Sequence, residues 1–330
     1  MSGFRVAFAG AFATRLEPAV RRYLGPAYEI VASDDEAEIV ALLGDVDALV
    51  SLAFTGEMQA VASPRLKLVQ VPGAGLDRVD RAAVPEGTWL ANAYGHEVGI
   101  AEYLLGGMLA WTHQFGRLDA SLKQGRWISP WVPGAPPPPL RPVLSGKTLG
   151  ILGYGRIGRA LAPRARALGM QVWATRRTVT EADAASLDFL GGPDDLTRLL
   201  QAADYLVVTV ELNASTRGLL GAREFRLMKP GAVLLNVARA EIVDEAALYQ
   251  ALADKTIGGA VLDAWYQYPK DGAPSFPARQ PFHELPNVIM TPHISGWTEE
   301  TFDARARLIA ENIRRAERGE PPENLVLPLR

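Results

Sequence analysis

TLGILGYGRIG, residues 148–158, decides how the rest of the chain is read. Thr148 to Leu152 predicts a buried parallel strand, and Arg156 onward predicts a helix. Between them Gly153, Gly155 and Gly158 keep the G-x-G-x-x-G spacing. The first glycine permits a tight turn, the second lets a pyrophosphate approach the backbone, and the third lets helix and strand pack closely. The helix N-terminus then offers unpaired N–H groups and a partial positive charge to phosphates. Glycines also cluster in ordinary turns; the strand before and the helix after turn this spacing into a dinucleotide-binding signature.

The same alternation runs outward in both directions. Towards the N-terminus, Arg5–Ala9, Glu29–Ala32, Ala48–Ala53 and Lys67–Val71 predict short buried strands, with helical patterns such as Asp34–Leu43 between them. Towards the C-terminus, strands are predicted at Gln171–Ala174, Tyr205–Val210, Val233–Val237, Gly259–Leu262 and Val288–Met290. Helices are predicted at Leu196–Ala202, at Asp244–Leu252 with Asp244 as N-cap, and at Glu299–Arg318. Strands alternating with helices imply parallel sheets covered on both faces, so the fold class is α/β. His96–Phe115 predicts one long apolar helix; Gly106 and Gly107 in it suit a place where another backbone comes close. Residues 129–145 carry seven prolines, four of them in a row at 136–139, and predict an ordered arm or lid anchored by Trp127 and Trp131. Pro163 falls inside the helix after the glycine loop, where it removes one hydrogen bond.

Composition narrows the function classes. At 330 residues and 48% hydrophobic content, the chain suits two domains with full cores. A net charge of −3 argues against nucleic acid as a partner. No apolar run is long enough to span a bilayer, so no membrane partner is expected. FRVAFAG near the N-terminus looks like a first strand and not a signal peptide. With no cysteine, disulfides, thiolate metal sites and cysteine nucleophiles are excluded, no metal is expected, and a cytoplasmic location follows by default.

Beyond the glycine loop, the chain carries VPGAGLDRVD (71–80), STRG (215–218), MKPGAVLLNVARAEIVDEAAL (228–248), GGAVLDA (258–264) and PNVIMTPHISGWT (286–298). In this order they resemble the D-isomer-specific 2-hydroxyacid dehydrogenases over nearly the whole length. The resemblance implies two Rossmann-like or flavodoxin-like parallel-sheet domains with a cleft between them. Residues 1–97 and 297–330 would form a substrate domain, and 98–296 an inserted NAD(P)-binding domain. It also implies a homodimer through the cofactor domains, with the 96–115 helix as crossover and subunit contact, and hydride transfer between a nicotinamide and a small 2-keto or 2-hydroxy acid.

Such chemistry needs a cation for the substrate carboxylate and carbonyl, and a proton donor titrating near neutrality. Arg239, at the carboxyl end of the AVLLNVA strand, matches the family arginine. His293, after the VIM strand, matches the acid/base. Ala74 and Gly75 match the loop whose backbone N–H groups hold the substrate carboxylate. Arg156, Ile157, Thr216, Asp263, Ser295 and Gly296 match cofactor contacts, although the family commonly has a proline where this chain has Glu211.

Two positions depart from the family pattern. The residue that pairs with the histidine is usually a glutamate just before a proline; here Tyr268 stands before Pro269. A phenol brings no charge at pH 7, and Glu241, Glu284 and Glu97 remain alternatives for the role. The second departure concerns the ribose 2′ position. NAD enzymes place an acid at the end of the second cofactor-domain strand. Here QVWA is followed by Thr175, Arg176 and Arg177, with no carboxylate before Glu181. Guanidiniums attract a 2′-phosphate, so NADP is expected over NAD, with NAD possible. Two other readings stay open: a formate- or phosphite-dehydrogenase-like enzyme on the same scaffold, and a non-catalytic, dinucleotide-gated interaction protein.

Overall fold

The computed structural model describes residues 3–269 and 272–327. The chain divides into two compact units, residues 1–96 with 297–330 and residues 97–296. The first is built on strands β1 (Arg5–Ala9), β2 (Glu29–Ser33), β3 (Ala48–Ser51), β4 (Leu68–Gln70) and β5 (Trp89–Ala91). These run parallel in the order β5-β4-β3-β1-β2, and a C-terminal strand, Leu325–Leu327, adds antiparallel to β5. Strand β1 shows why its sequence is apolar without alternation. Val6 and Phe8 pack against helices Ala11–Leu24 and Glu299–Arg318, while Ala7 and Ala9 face Leu43, Phe54 and Met58 on the other side. Helix Glu299–Arg318 is amphipathic. It buries Ala306, Ile309, Ala310, Ile313 and Ala316, starts at the Thr298 side-chain cap and stops at Gly319 in the left-handed region.

The second unit holds seven parallel strands: β6 (Thr148–Leu152), β7 (Gln171–Thr175), β8 (Phe189–Gly191), β9 (Tyr205–Val208), β10 (Val233–Asn236), β11 (Gly259–Leu262) and β12 (Val288–Met290). Their order is β12-β11-β10-β9-β6-β7-β8. The chain moves from β6 out to β8, then returns to the other side of β6 at β9 and continues to β12. Open sheets bind ligands beyond the carboxyl ends of the strands where the order reverses in this way. Leu149 and Ile151 of β6 face a core shared with helix Glu97–His113; Leu152 faces the opposite core with Phe225 and Phe282.

Several local expectations are corrected. The long apolar helix is present as Glu97–His113; it ends at Gln114, which takes φ 56°, and a second helix not expected from the sequence, Phe115–Leu122, follows. Gly107 is needed against a side chain and not a backbone, because a Cβ there would lie 3.0 Å from Cγ1 of Val261 on β11, whereas Gly106 meets nothing within 4 Å. Trp127 and Trp131 do not anchor the proline-rich arm: they are 67% and 86% exposed, and Leu144 is the apolar residue that the arm buries. Among the described residues no helix is long and apolar enough to cross a membrane.

Candidate active site

The glycine loop follows β6 directly. Gly153 has φ 101°, and a Cβ there would sit 2.8 Å from the Val210 nitrogen, so only glycine makes this turn. A Cβ at Gly158 would press to 2.9 Å from the Tyr154 ring and 3.3 Å from Ile151 of β6, which marks the close packing of helix on strand. At Gly155 a Cβ would meet nothing within 4 Å: the space over the turn is open, as a pyrophosphate requires. The N–H groups of Gly153 and Tyr154 donate to the Thr175 carbonyl at 3.1 and 2.8 Å, so Thr175 supports the loop by its main chain while its side chain is buried. Arg156 and Ile157 open the helix Arg156–Ala167, whose first-turn N–H groups face the loop's open side. These residues fit a bound dinucleotide.

Arg239 and His293 leave the same edge of the sheet, from β10 and β12, with β11 between them. Two strand spacings put the strand ends roughly 10 Å apart. Asn236, 2% exposed, fixes the Arg239 turn: its Oδ1 accepts from the Ala238 N–H at 3.1 Å and its Nδ2 donates to the Arg239 carbonyl at 3.0 Å. The half-buried Arg239 donates from Nη1 to the Ala238 carbonyl at 2.9 Å.

His293 is held from two sides. Its backbone takes φ 54°, a costly conformation for a non-glycine residue. Asp263, fully buried at the end of β11, fixes the loop beneath it. Its carboxylate accepts from the Thr291 hydroxyl at 2.6 Å, the Ile294 N–H at 2.8 Å and the Ser295 N–H at 2.9 Å. Tyr103 continues this network, its hydroxyl 2.6 Å from Thr291 Oγ1. At the ring, the Tyr268 hydroxyl lies 2.5 Å from His293 Nδ1, and the same oxygen accepts from the Trp265 N–H at 3.4 Å. The phenol donates to a bare Nδ1 and accepts from a protonated one, so the bond engages Nδ1 in either state of the ring. Burial pushes the Tyr268 phenol above its ordinary value, with the Arg239 guanidinium pulling the other way. The partner of His293 is therefore uncharged at neutral pH.

A carboxylate in that place favours the imidazolium; a neutral phenol does so much less. Tyr268→Glu is expected to move the acid limb of kcat/KM for hydroxy-acid oxidation, and the alkaline limb for keto-acid reduction, to higher pH. Superimposable pH profiles for the two proteins would remove Tyr268 from the acid/base account. Of the alternatives, Glu241 is exposed and Glu284 lies 3.8 Å from His283.

At the carboxyl end of β7, Arg177 is exposed, and Arg176 is turned inward onto Asp183. Asp183 was not anticipated beside this rim. It arrives because Thr180 caps the short helix Glu181–Ala184 and folds the chain back. Thr216 spends its hydroxyl on its own loop, donating to the Glu211 carbonyl at 2.6 Å. Ser295 is buried and Gly296 half-buried beside the His293 loop. In the first unit, Ala74 and Gly75 follow the carboxyl end of β4; Asn92 Nδ2 donates to the Ala74 carbonyl at 3.0 Å, leaving the two N–H groups without a bond among the described residues. Sequence reasoning missed Asn236, Thr291 and Tyr103. Asn236 carried a signal, a lone amide ending a buried strand three residues before Arg239.

Residues 105–295 match the family model described as D-isomer specific 2-hydroxyacid dehydrogenase, NAD binding domain. The chain belongs to the D-isomer specific 2-hydroxyacid dehydrogenase family. It is 33% identical over 288 residues to a glyoxylate reductase of Thermococcus litoralis, covering 86% of this chain and 84% of that one. It is also 33% identical over 302 residues to a D-3-phosphoglycerate dehydrogenase of Methanocaldococcus jannaschii, covering 90% of this chain but only 55% of that protein's length. Among solved structures, a 2-hydroxyacid dehydrogenase from Ketogulonicigenium vulgare Y25 superposes with a TM-score of 0.82 at 27% identity over the full length of both chains. In this family of NAD-binding oxidoreductases, the glycine loop and the β10–β12 edge of the present chain fall inside the matched segment.

Proposed function

We propose that this chain is an NADPH-preferring reductase of small 2-keto acids, glyoxylate and hydroxypyruvate among them, working reversibly as a D-2-hydroxyacid dehydrogenase. One observation carries the reading: Arg239 and the Tyr268-bonded His293 emerge from the same sheet edge as an open glycine loop. In this reading residues 98–296 bind the cofactor and residues 1–97 with 297–330 bind the substrate. The glycine loop, with Arg156 and Ile157, receives the pyrophosphate. Asp263, Ser295, Gly296 and Thr216 line the cofactor's course, and Arg176 and Arg177 face the ribose.

When bound, the nicotinamide supplies the hydride in reduction and takes it in oxidation. Arg239 offers a planar fork of donors that grips the substrate carboxylate and polarises the neighbouring carbonyl. Ala74 and Gly75 add main-chain donors to the carboxylate. With Nδ1 hydrogen-bonded to Tyr268, proton transfer falls to His293 Nε2: the imidazolium gives its Nε2 proton to the carbonyl oxygen in reduction, and the neutral ring, its proton then on Nδ1, takes one back at Nε2 in oxidation. The test is a panel of 2-keto acids run with NADPH and NADH. Turnover with NADPH at a kcat/KM at least about tenfold above NADH is expected, the discrimination that one charge-assisted contact supplies. Equal values for the two cofactors would remove Arg176 and Arg177 from the account. Cofactor reduction by formate or phosphite instead, or tight cofactor binding without any turnover, would replace the keto-acid reading.

A homodimer belongs to the same proposal. Phe115, Leu122, Trp127, Trp131, Leu140 and Val143 are exposed apolar side chains concentrated in one stretch of the second unit. Such a concentration on a surface marks an interaction site, and a second copy of this chain is the proposed occupant. Light scattering is expected to give twice the chain mass for the native protein and a monomer mass for Trp127→Glu with Trp131→Glu; a native monomer would contradict it.

A further inference from the structure

The rim at the end of β7 is organised by a side chain outside the motif readings. Asp183 is 8% exposed, and both of its oxygens are engaged. Arg159, from the first turns of helix Arg156–Ala167, donates from Nε to Oδ1 and from Nη2 to Oδ2, each at 2.9 Å. This is a two-pronged pairing of guanidinium and carboxylate. Arg176 donates to Oδ2 from the end of β7. The Thr180 hydroxyl donates to the same oxygen at 2.7 Å, and the Ser186 hydroxyl donates to the Asp183 carbonyl at 2.8 Å. Arg159 also lies over the Tyr154 ring, 5.7 Å from its centroid, beside the glycine loop. The Thr180 hydroxyl first, and the two arginines after it, hold the Asp183 carboxyl below its usual range, so it stays charged through the neutral range.

Two guanidiniums that reach this rim from different elements thus share one carboxylate. An arginine side chain free in solvent samples many rotamers, and one seated on a buried carboxylate has already lost them. A carboxylate that pointed into the ribose site would repel a 2′-phosphate. One occupied by four donors instead presents the outer N–H groups of its arginines as a fixed pair. We propose that Asp183 is a positioning residue for cofactor choice: it holds Arg159 and Arg176 side by side as a preformed receptor for a phosphate monoester on the adenosine ribose. The second arginine of the receptor is then Arg159, on the helix, rather than the exposed Arg177. This rests on the reading of the β7 rim as the ribose 2′ site.

The test is calorimetric binding of adenosine 2′,5′-bisphosphate and of 5′-AMP, which differ only in the 2′-phosphate, to the full chain and to Asp183→Asn. The native chain is expected to bind the bisphosphate more tightly, and Asp183→Asn to lose about tenfold of that discrimination while its affinity for 5′-AMP is unchanged, since charge-assisted bonds to phosphate depend on alignment. Arg159→Met gives a second variant should Asp183→Asn fold poorly; Arg159 is 47% exposed, so its replacement costs the core little, and the same selective loss is expected. Undiminished or increased discrimination in either folded variant overturns the role of Asp183. A native chain that binds the two nucleotides equally overturns the 2′-phosphate reading itself, and this inference with it.

Discussion

His293→Ala lowers kcat/KM for keto-acid reduction by about 10²–10⁴, the range for removing a positioned general acid. The expectation follows from how much structure serves one imidazole. The left-handed backbone at His293, the buried Asp263 that takes three donors from its loop, and the Tyr268 hydroxyl on Nδ1 together hold the ring in place. None of those contacts is needed to hold the glycine loop, so cofactor affinity should be nearly unchanged in the variant. Steady-state kinetics combined with a cofactor titration separate the two quantities. A loss below about fivefold, far short of a general acid's share, would mean that the proton comes from elsewhere.

Arg239→Lys comes second, with an expected loss of about 10²–10³ in kcat/KM, equivalent to roughly 3–4 kcal/mol. Lysine keeps the charge but not the planar fork, and the proposed substrate needs both its carboxylate and its carbonyl engaged at once. Carboxylate anchoring is present in the ground state and appears in KM, whereas carbonyl polarisation grows in the transition state and appears in kcat. Both parameters should therefore worsen. An unchanged kcat with raised KM would confine Arg239 to anchoring the acid group.

The parts of the fold that were legible in the sequence are those dictated by local chemistry. RVAFA, TLGIL and VLLN are apolar throughout because both faces of each strand are covered, and the three glycines fall where a turn, an open space and a tight contact each demand the absence of a Cβ. Asp244 shows its capping role in its side chain, which accepts from the Ala247 N–H. Strands β5 and β8 are only three residues long and, unlike β4 and β12, run into no motif that marks a strand end. The apolar run stops beside Gln114, and the second helix that begins at Phe115 is too mixed in character to announce itself.

The site divides along the same line. Arg239, His293 and Tyr268 could be named from motif position, but which imidazole nitrogen the Tyr268 hydroxyl meets is set by the fold. The rim of β7 was half legible. Arg176 stood out beside Arg177, whereas Asp183 and Arg159 lie seven residues after and seventeen before it, and only the fold brings them together. The tryptophans of the proline-rich arm misled, because large apolar residues are normally buried and these two are exposed.

The central claim, that Arg239 and His293 direct hydride to the carbon beside a carboxylate, is tested most directly by isotope transfer. NADPH carrying deuterium at C4 of the nicotinamide is incubated with the protein and glyoxylate or hydroxypyruvate, and the product is examined by NMR. The account predicts deuterium at C2 of the 2-hydroxy acid, abolished in Arg239→Lys with His293→Ala. Unlabelled product, or no product from any 2-keto acid at saturating cofactor, would contradict it.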